Sequence, residues 1–241
     1  MHKMSHGTAS GKNPRIRNRL GRTCWVHYFF RRNCMGLFRK FVNNTRKPEG
    51  LLGSIMIWGM NVGHARMAKW GMNHFPQMDP KTILDIGCGG GRNASELLKK
   101  YQNATLTAID YSPLSVAKTK VYNRKLMEQK RCVVQEANVV SLPFENDAFD
   151  LATAFETIYF WPDLPRCFIE VRRILKNGGY FCIVSESDGT DIEGQKYEKI
   201  IEGMKNYTVP QIMDTLYATG FGSVRSFHHE TKPWIIVIAE K

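Results

Sequence analysis

No run of 18 or more apolar residues occurs in the 241-residue chain, so no segment is long enough to cross a bilayer as a helix. The nearest approach to a secretory leader, residues 24–30, is short, runs into Arg31 and Arg32, and has no small-residue cleavage site after it, so secretion is not expected. The six cysteines are scattered and include no C-x-x-C pair, which argues against a zinc ribbon or a disulfide scaffold. Reduced thiols in a cytoplasmic protein are the expectation. Acidic residues are missing from the first 48 positions: residues 1–50 hold 12 Lys or Arg against Glu49 alone. The remaining 191 residues carry 22 basic and 21 acidic side chains. The formal net charge of +12 therefore belongs to an arm, and the body gives no electrostatic argument for nucleic acid. Repeats and low-complexity tracts are absent as well.

What is present divides into two regions. Residues 1–48 form the basic arm, expected to be disordered, with a stretch at 24–42 that mixes aromatics with Arg and Lys in the manner of a surface-seeking amphipathic segment. Residues 49–241 form the domain. It opens with a helical pattern at 51–75 in which Met and Trp recur at three- and four-residue steps, and then alternates. Strand-like apolar runs at 82–86, 106–109, 132–135, 149–155 and 180–185 are separated by helical patterns at 93–101, 113–130 and 164–175. Ser112 and Pro113 supply a cap and a first-turn proline. Such alternation predicts an α/β, doubly wound, mostly parallel sheet covered on both faces. A short helix is expected at 195–204, and a capping box, Thr208 to Gln211, opens another through Ala218. The last two strands, 223–228 and 234–239, are joined by five residues. That is too few for a parallel crossover, so they form an antiparallel hairpin.

The chemistry centres on Asp85-Ile86-Gly87-Cys88-Gly89-Gly90-Gly91-Arg92, a glycine loop at a strand-to-helix turn. Glycines there permit positive φ and a close backbone approach, and the next helix offers free N–H groups. The dinucleotide fingerprint fails, because Arg92 stands where its third glycine belongs. Asp85 at the loop mouth would repel a pyrophosphate and suits an ammonium group. Asp110 ends the second strand, 19 residues after Gly91, where α/β nucleotide sites place an acid for ribose hydroxyls. Together these ask for a nucleoside that bears an amino group and no phosphate.

The ordered set DIGCGGG, AIDYS, SLPFENDAFD and RRILKNGG resembles the class I S-adenosylmethionine-dependent methyltransferases, over roughly residues 51–241. The resemblance implies a seven-stranded Rossmann-like sheet with an antiparallel C-terminal strand, S-adenosylmethionine as cofactor and a small-molecule methyl acceptor as partner. It implies that Asp85, Gly87 and Gly89 hold the methionine part, Asp110 the ribose and Tyr111 the adenine face. Asn138 and the N–H of Val139 would serve the adenine edge, and Phe155 joins the cofactor contacts. Asn138 departs from the family, where Asp is common, but its carbonyl still accepts.

After the fourth strand the chain reads Glu156-Thr157-Ile158-Tyr159-Phe160-Trp161. It lacks the Asn/Asp-Pro-Pro-aromatic run of base-amine methylating relatives and the Pro-Cys pair of the cytosine type. His64, Glu156 and Tyr159 are the candidate catalytic residues, with Trp58, Asn61, Phe160 and Trp161 as further liners of the acceptor end. Asn61 and His64 are three apart and share a helix face. The helix 51–75 and the segment 186–207 form the expected acceptor lid, no metal is expected, and His228 and His229 are read as structural. Alternatives are an RNA-modifying enzyme using the basic arm, a nicotinamide-dependent oxidoreductase, and a protein that holds the cofactor without turnover.

Overall fold

The computed structural model describes residues 46–241; the arm up to residue 45, with its 24–42 segment, lies outside the described residues. Two helices come first, α1 (Gly50–Gly63) and α2 (Ala65–Asn73). Then follow β1 (Thr82–Ile86), α3 (Arg92–Lys100), β2 (Thr105–Asp110), α4 (Pro113–Tyr122), α5 (Arg124–Glu128) and β3 (Cys132–Glu136). The second half holds β4 (Phe149–Phe155), a short 3-10 turn (Ile158–Phe160), α6 (Leu164–Ile174), β5 (Leu175–Ser185), α7 (Ile192–Ile200), α8 (Val209–Ala218), β6 (Ser223–His228) and β7 (Ile235–Glu240).

The strands form one seven-stranded sheet in the order β3-β2-β1-β4-β5-β7-β6. β1 pairs in parallel with β2 and β4, β2 with β3, and β4 with β5. β7 runs antiparallel to both β5 and β6. The expected doubly wound sheet with one reversed C-terminal strand is therefore what the chain adopts. Strand residues alternate between two buried layers, as the period of two demands. Leu84 and Ala152 face α6 and α8 through Phe168, Val171, Ile212 and Leu216. Ile83 and Leu151 face α2, α3 and α4 through Met67, Leu97 and Val116.

Local signals are met where local chemistry decides. The Ser112 hydroxyl accepts from the Ser115 N–H at the start of α4, and Thr208 and Gln211 form the reciprocal capping box of α8. Two expected helices are each broken in two. The 51–75 pattern breaks at His64, whose φ of −81° and ψ of 0° follow the poor helix former Gly63. Beyond the break, α2 lies so close to β5 that a Cβ on Gly71 would stand 2.5 Å from Val184 Cγ1. That contact sets the direction of α2, whereas α1 docks through Gly53 on Pro48 and Leu114. The 113–130 pattern breaks at Asn123, whose amide donates to the carbonyls of Thr119 and Gly91 instead of continuing outward. The helix expected at 195–204 forms earlier, over Ile192–Ile200, because Asp191 caps it through the Gly194 N–H. β5 starts at Leu175 and bulges before resuming its pairing at Tyr180.

Candidate cofactor and acceptor site

Strand order reverses between β1 and β4, and open α/β sheets hold ligands at the C-terminal ends of the strands beside such a reversal. The glycine loop follows β1 there. Its conformation needs glycine: φ is +76° at Gly87, +54° at Gly89 and +80° at Gly91. Gly87 and Gly90 are closed in, since a Cβ at either would stand 2.5 Å from Thr157 Oγ1 or 2.2 Å from Asn61 Nδ2. Gly89 is the open member, with nothing within 4 Å of where its Cβ would be. Neighbouring elements pin the loop: Thr119 Oγ1 donates to the Gly89 carbonyl at 2.9 Å, and Asn61 Nδ2 to that of Gly90 at 3.2 Å.

Asp85 is 1% exposed. Its register partner on β4 is Thr153, whose hydroxyl donates to Asp85 Oδ1 at 2.9 Å. Asp85 Oδ2 has no hydrogen-bond partner. Burial pushes this carboxyl up to about 7, against the Thr153 hydrogen bond and with the help of the nearby Asp110 charge. A buried carboxylate oxygen without a donor is costly, so its presence here points to a donor supplied from outside the chain.

Asp110 accepts from the Gly89 N–H through Oδ2 and from the Ser112 N–H through Oδ1, each at 2.9 Å. Burial raises its carboxyl, and these backbone donors oppose the rise. Asp110 thus braces the glycine loop as well as standing at the expected ribose position. The Tyr111 hydroxyl donates to the Arg46 carbonyl and the Ser112 hydroxyl to that of Pro48, so residues 46–48 lie across this edge of the domain. Asn138 Oδ1 accepts from the Val140 N–H at 3.1 Å, an interaction within its own turn. The Val139 side chain belongs to the core. Phe155 stacks on Phe75 with 6.3 Å between centroids, which leaves only its main chain at the strand end for a ligand.

The three candidate catalytic residues come together at the same edge. The Tyr159 hydroxyl donates to Glu156 Oε2 at 3.1 Å, and the Glu186 N–H donates to Glu156 Oε1. Glu156 itself has a φ of +55°, rare for a residue with a side chain. His64 Nε2 reaches Glu186 Oε2 at 3.7 Å. Burial and the Glu156 charge, with Tyr159 as donor to it, hold the Tyr159 hydroxyl well above its usual range. Burial first, then the Glu156 charge, raises the Glu186 carboxyl, while His64 and Lys232 oppose the rise.

Two expected liners lie elsewhere. Trp161 is a core residue, stacked on Phe181 at 6.2 Å and donating Nε1–H to Thr157 Oγ1, because the 3-10 turn directs it back under the sheet edge. Trp58 is 68% exposed, on the face of α1 turned away from the domain. Phe160 packs edge-on against Tyr159. His229 packs between Trp70 and Trp234, a structural position. Sequence reasoning missed Glu186 as a site residue. The signal was available: β4 and β5 are consecutive parallel strands, so the carboxylates that follow them, Glu156 and Glu186, emerge side by side.

Residues 84–183 match the family described as methyltransferase domain, a match that spans β1 to β5 and includes the glycine loop and Asp110. Over those residues the chain carries a methyltransferase domain, and its seven-stranded sheet order is that of the class I S-adenosylmethionine-dependent type. Among curated relatives of this methyltransferase domain, a cycloartenol-C-24-methyltransferase of Arabidopsis thaliana is 30% identical over 125 residues, covering 50% of this chain and 37% of that protein. The chain spans between 37% and 60% of the length of the first three curated relatives it matches. A Haloferax volcanii protein solved in complex with the Trm112 methyltransferase activator aligns with a TM-score of 0.70 at 17% identity, over 77% of this chain and 93% of that one. The [4+2]-cyclase SpnF aligns with a TM-score of 0.60, also at 17% identity, over 73% of this chain and 80% of that one. The superfamily fold is thus shared with a protein named for a different reaction, and the site has to carry the argument for activity.

Proposed function

We propose that this domain transfers a methyl group from S-adenosylmethionine to a small-molecule acceptor. The observation that carries the reading is the unpartnered, buried Asp85 Oδ2 beside the open glycine loop. Those residues fit the cofactor: Asp85 would accept from its α-ammonium, the open Gly89 in the turn that Gly87 begins leaves its methionine part room against the backbone, and Asp110 would accept from its ribose. Tyr111 would cover the adenine face, and Asn138 and the Val139 N–H would serve its edge. When bound, S-adenosylmethionine supplies a methyl group on a positively charged sulfur. Asp85 at the loop mouth would repel a pyrophosphate, and Arg92 stands where the dinucleotide fingerprint has its third glycine, which argues against a nicotinamide dinucleotide.

At the acceptor end we assign His64, Glu156 and Tyr159 to contact with the acceptor. In-line displacement draws much of its rate from alignment and exclusion of water. Tyr159, held protonated, acts as a donor that orients Glu156 and not as a base. His64 and Glu156 stand where they can contact an acceptor group that must lose a proton. The relative named for cycloartenol supports an acceptor of small-molecule size. The described cysteines, Cys88, Cys132, Cys167 and Cys182, are all free and buried, which supports the proposal of a reducing, cytoplasmic setting. An RNA acceptor would depend on the basic arm, outside the described residues.

Calorimetry with S-adenosylhomocysteine and with NADH tests the cofactor half of this reading. Stoichiometric binding of the first and none of the second is expected; the reverse would replace it with an oxidoreductase.

A further inference from the structure

Three side chains from three separate elements meet at the acceptor edge. His64 comes from the break between α1 and α2, Glu156 from the turn after β4, and Glu186 from the end of β5. One ligand-type atom of each, the imidazole nitrogen and one oxygen of each carboxylate, lies within 4.8 Å of the other two. Among the described residues neither carboxylate has a Lys or Arg within ion-pair distance; His64 contacts Glu186, and the Lys232 charge acts on Glu186 from farther away. Two carboxylates facing each other in a half-buried pocket repel unless a proton or a cation sits between them. Tyr159 and the Glu186 N–H occupy one lone pair on each Glu156 oxygen, so the carboxylate is held in orientation with acceptor capacity left over.

We propose that His64, Glu156 and Glu186 bind one divalent transition-metal ion. The proposal deepens the assignment of this edge as the acceptor site and rests on that reading. Metal–ligand bonds of about 2.0–2.2 Å place ligand atoms roughly 3–4 Å apart; the His64–Glu186 distance of 3.7 Å already meets this. One nitrogen and two carboxylate oxygens suit Mn²⁺, Fe²⁺ or Zn²⁺ better than Mg²⁺, which prefers an all-oxygen, water-rich octahedron. The buttressing of Glu156 by Tyr159 is the outer-shell support that metal carboxylates have elsewhere. With side-chain exposures of 28% for His64 and 39% for Glu186, the pocket is open on one side. Three protein ligands leave positions free there for an oxygen donor of the acceptor, which points to a hydroxyl-, phenol- or carboxylate-bearing molecule.

Calorimetric titration of the full chain with MnCl2, ZnCl2 and MgCl2, each in turn and without cofactor, tests the proposal. One equivalent of Mn²⁺ or Zn²⁺ is expected to bind, more tightly than Mg²⁺. Glu186→Gln and His64→Ala should each weaken that binding at least tenfold. Should His64→Ala fail to fold, the near-isosteric Glu186→Gln alone decides, with circular dichroism as the check on its fold. No stoichiometric cation binding, or binding unchanged in Glu186→Gln, overturns the site and leaves a proton shared between the carboxylates. S-adenosylhomocysteine affinity of the wild-type chain, measured separately, reports on the methyltransferase reading, so the two can fail independently.

Discussion

Cofactor affinity should follow the ionisation of Asp85. In the ligand-free protein burial holds this carboxyl up to about 7, against 3.8 for a solvated one. The folded state therefore keeps a proton that the unfolded chain releases. The stability this contributes is complete below the lower value and is lost as pH rises through the upper one. An ammonium ligand needs the opposite, charged form. At pH 6 about a tenth of Asp85 is ionised, and at pH 7.4 about 70%. An α-amino group with a pKa of about 7.8 is nearly all protonated at pH 6 and about 70% protonated at pH 7.4. The fraction of pairs with both charges in place thus rises from about 0.09 to about 0.5, a gain of roughly sixfold in affinity, or about 1 kcal/mol. Isothermal titration with S-adenosylhomocysteine across pH 6 to 9 should trace this rise and a fall above about pH 7.4. Asp85→Asn should lose the acidic limb and bind about tenfold or more weakly at pH 7.4, as a charge-assisted contact becomes a neutral one. A wild-type affinity that is flat from pH 6 to 7.4, or an Asp85→Asn variant that keeps the acidic limb, would refute the assignment of Asp85 to the ammonium.

Asp110→Ala removes both the ribose acceptor and the brace on the Gly89 N–H, so cofactor affinity should fall at least tenfold by calorimetry; unchanged affinity removes Asp110 from the site. Gly71→Ala drives a methyl against two Val184 carbons and should cost about 2 kcal/mol, a Tm lower by roughly 4–8 °C in a thermal melt. Phe168→Ala empties a fully buried position against Trp161 and Phe181, and urea titration should show a loss of about 3–5 kcal/mol.

Features set by neighbouring residues were legible in the sequence. Ser112 before Pro113, Thr208 with Gln211, and the short connection before β7 each carry their own geometry: the caps formed, and the last two strands pair antiparallel. Features set by distant contacts were not. Nothing in the 51–75 pattern tells that Gly71 must fit against Val184, yet that packing separates α2 from α1 at His64 and so aims His64 at Glu186. Trp161 resembles Tyr159 and Phe160 as a pocket aromatic until Phe181 on β5 claims its ring. Asp85 was legible from its place before the glycines, but its unpartnered oxygen depends on Thr153, a residue 68 positions away. Glu186 needs the pairing of β4 with β5 before it stands beside Glu156.

Methyl transfer itself can be observed. Incubation of the protein and a small-metabolite pool with methyl-labelled S-adenosylmethionine, followed by mass spectrometry, addresses it directly. A labelled small molecule should appear with wild-type protein and be reduced at least tenfold with Asp110→Ala. Stoichiometric cofactor binding with no label leaving the donor in any acceptor pool would contradict it, and would make the domain a holder of the cofactor or a catalyst of different chemistry.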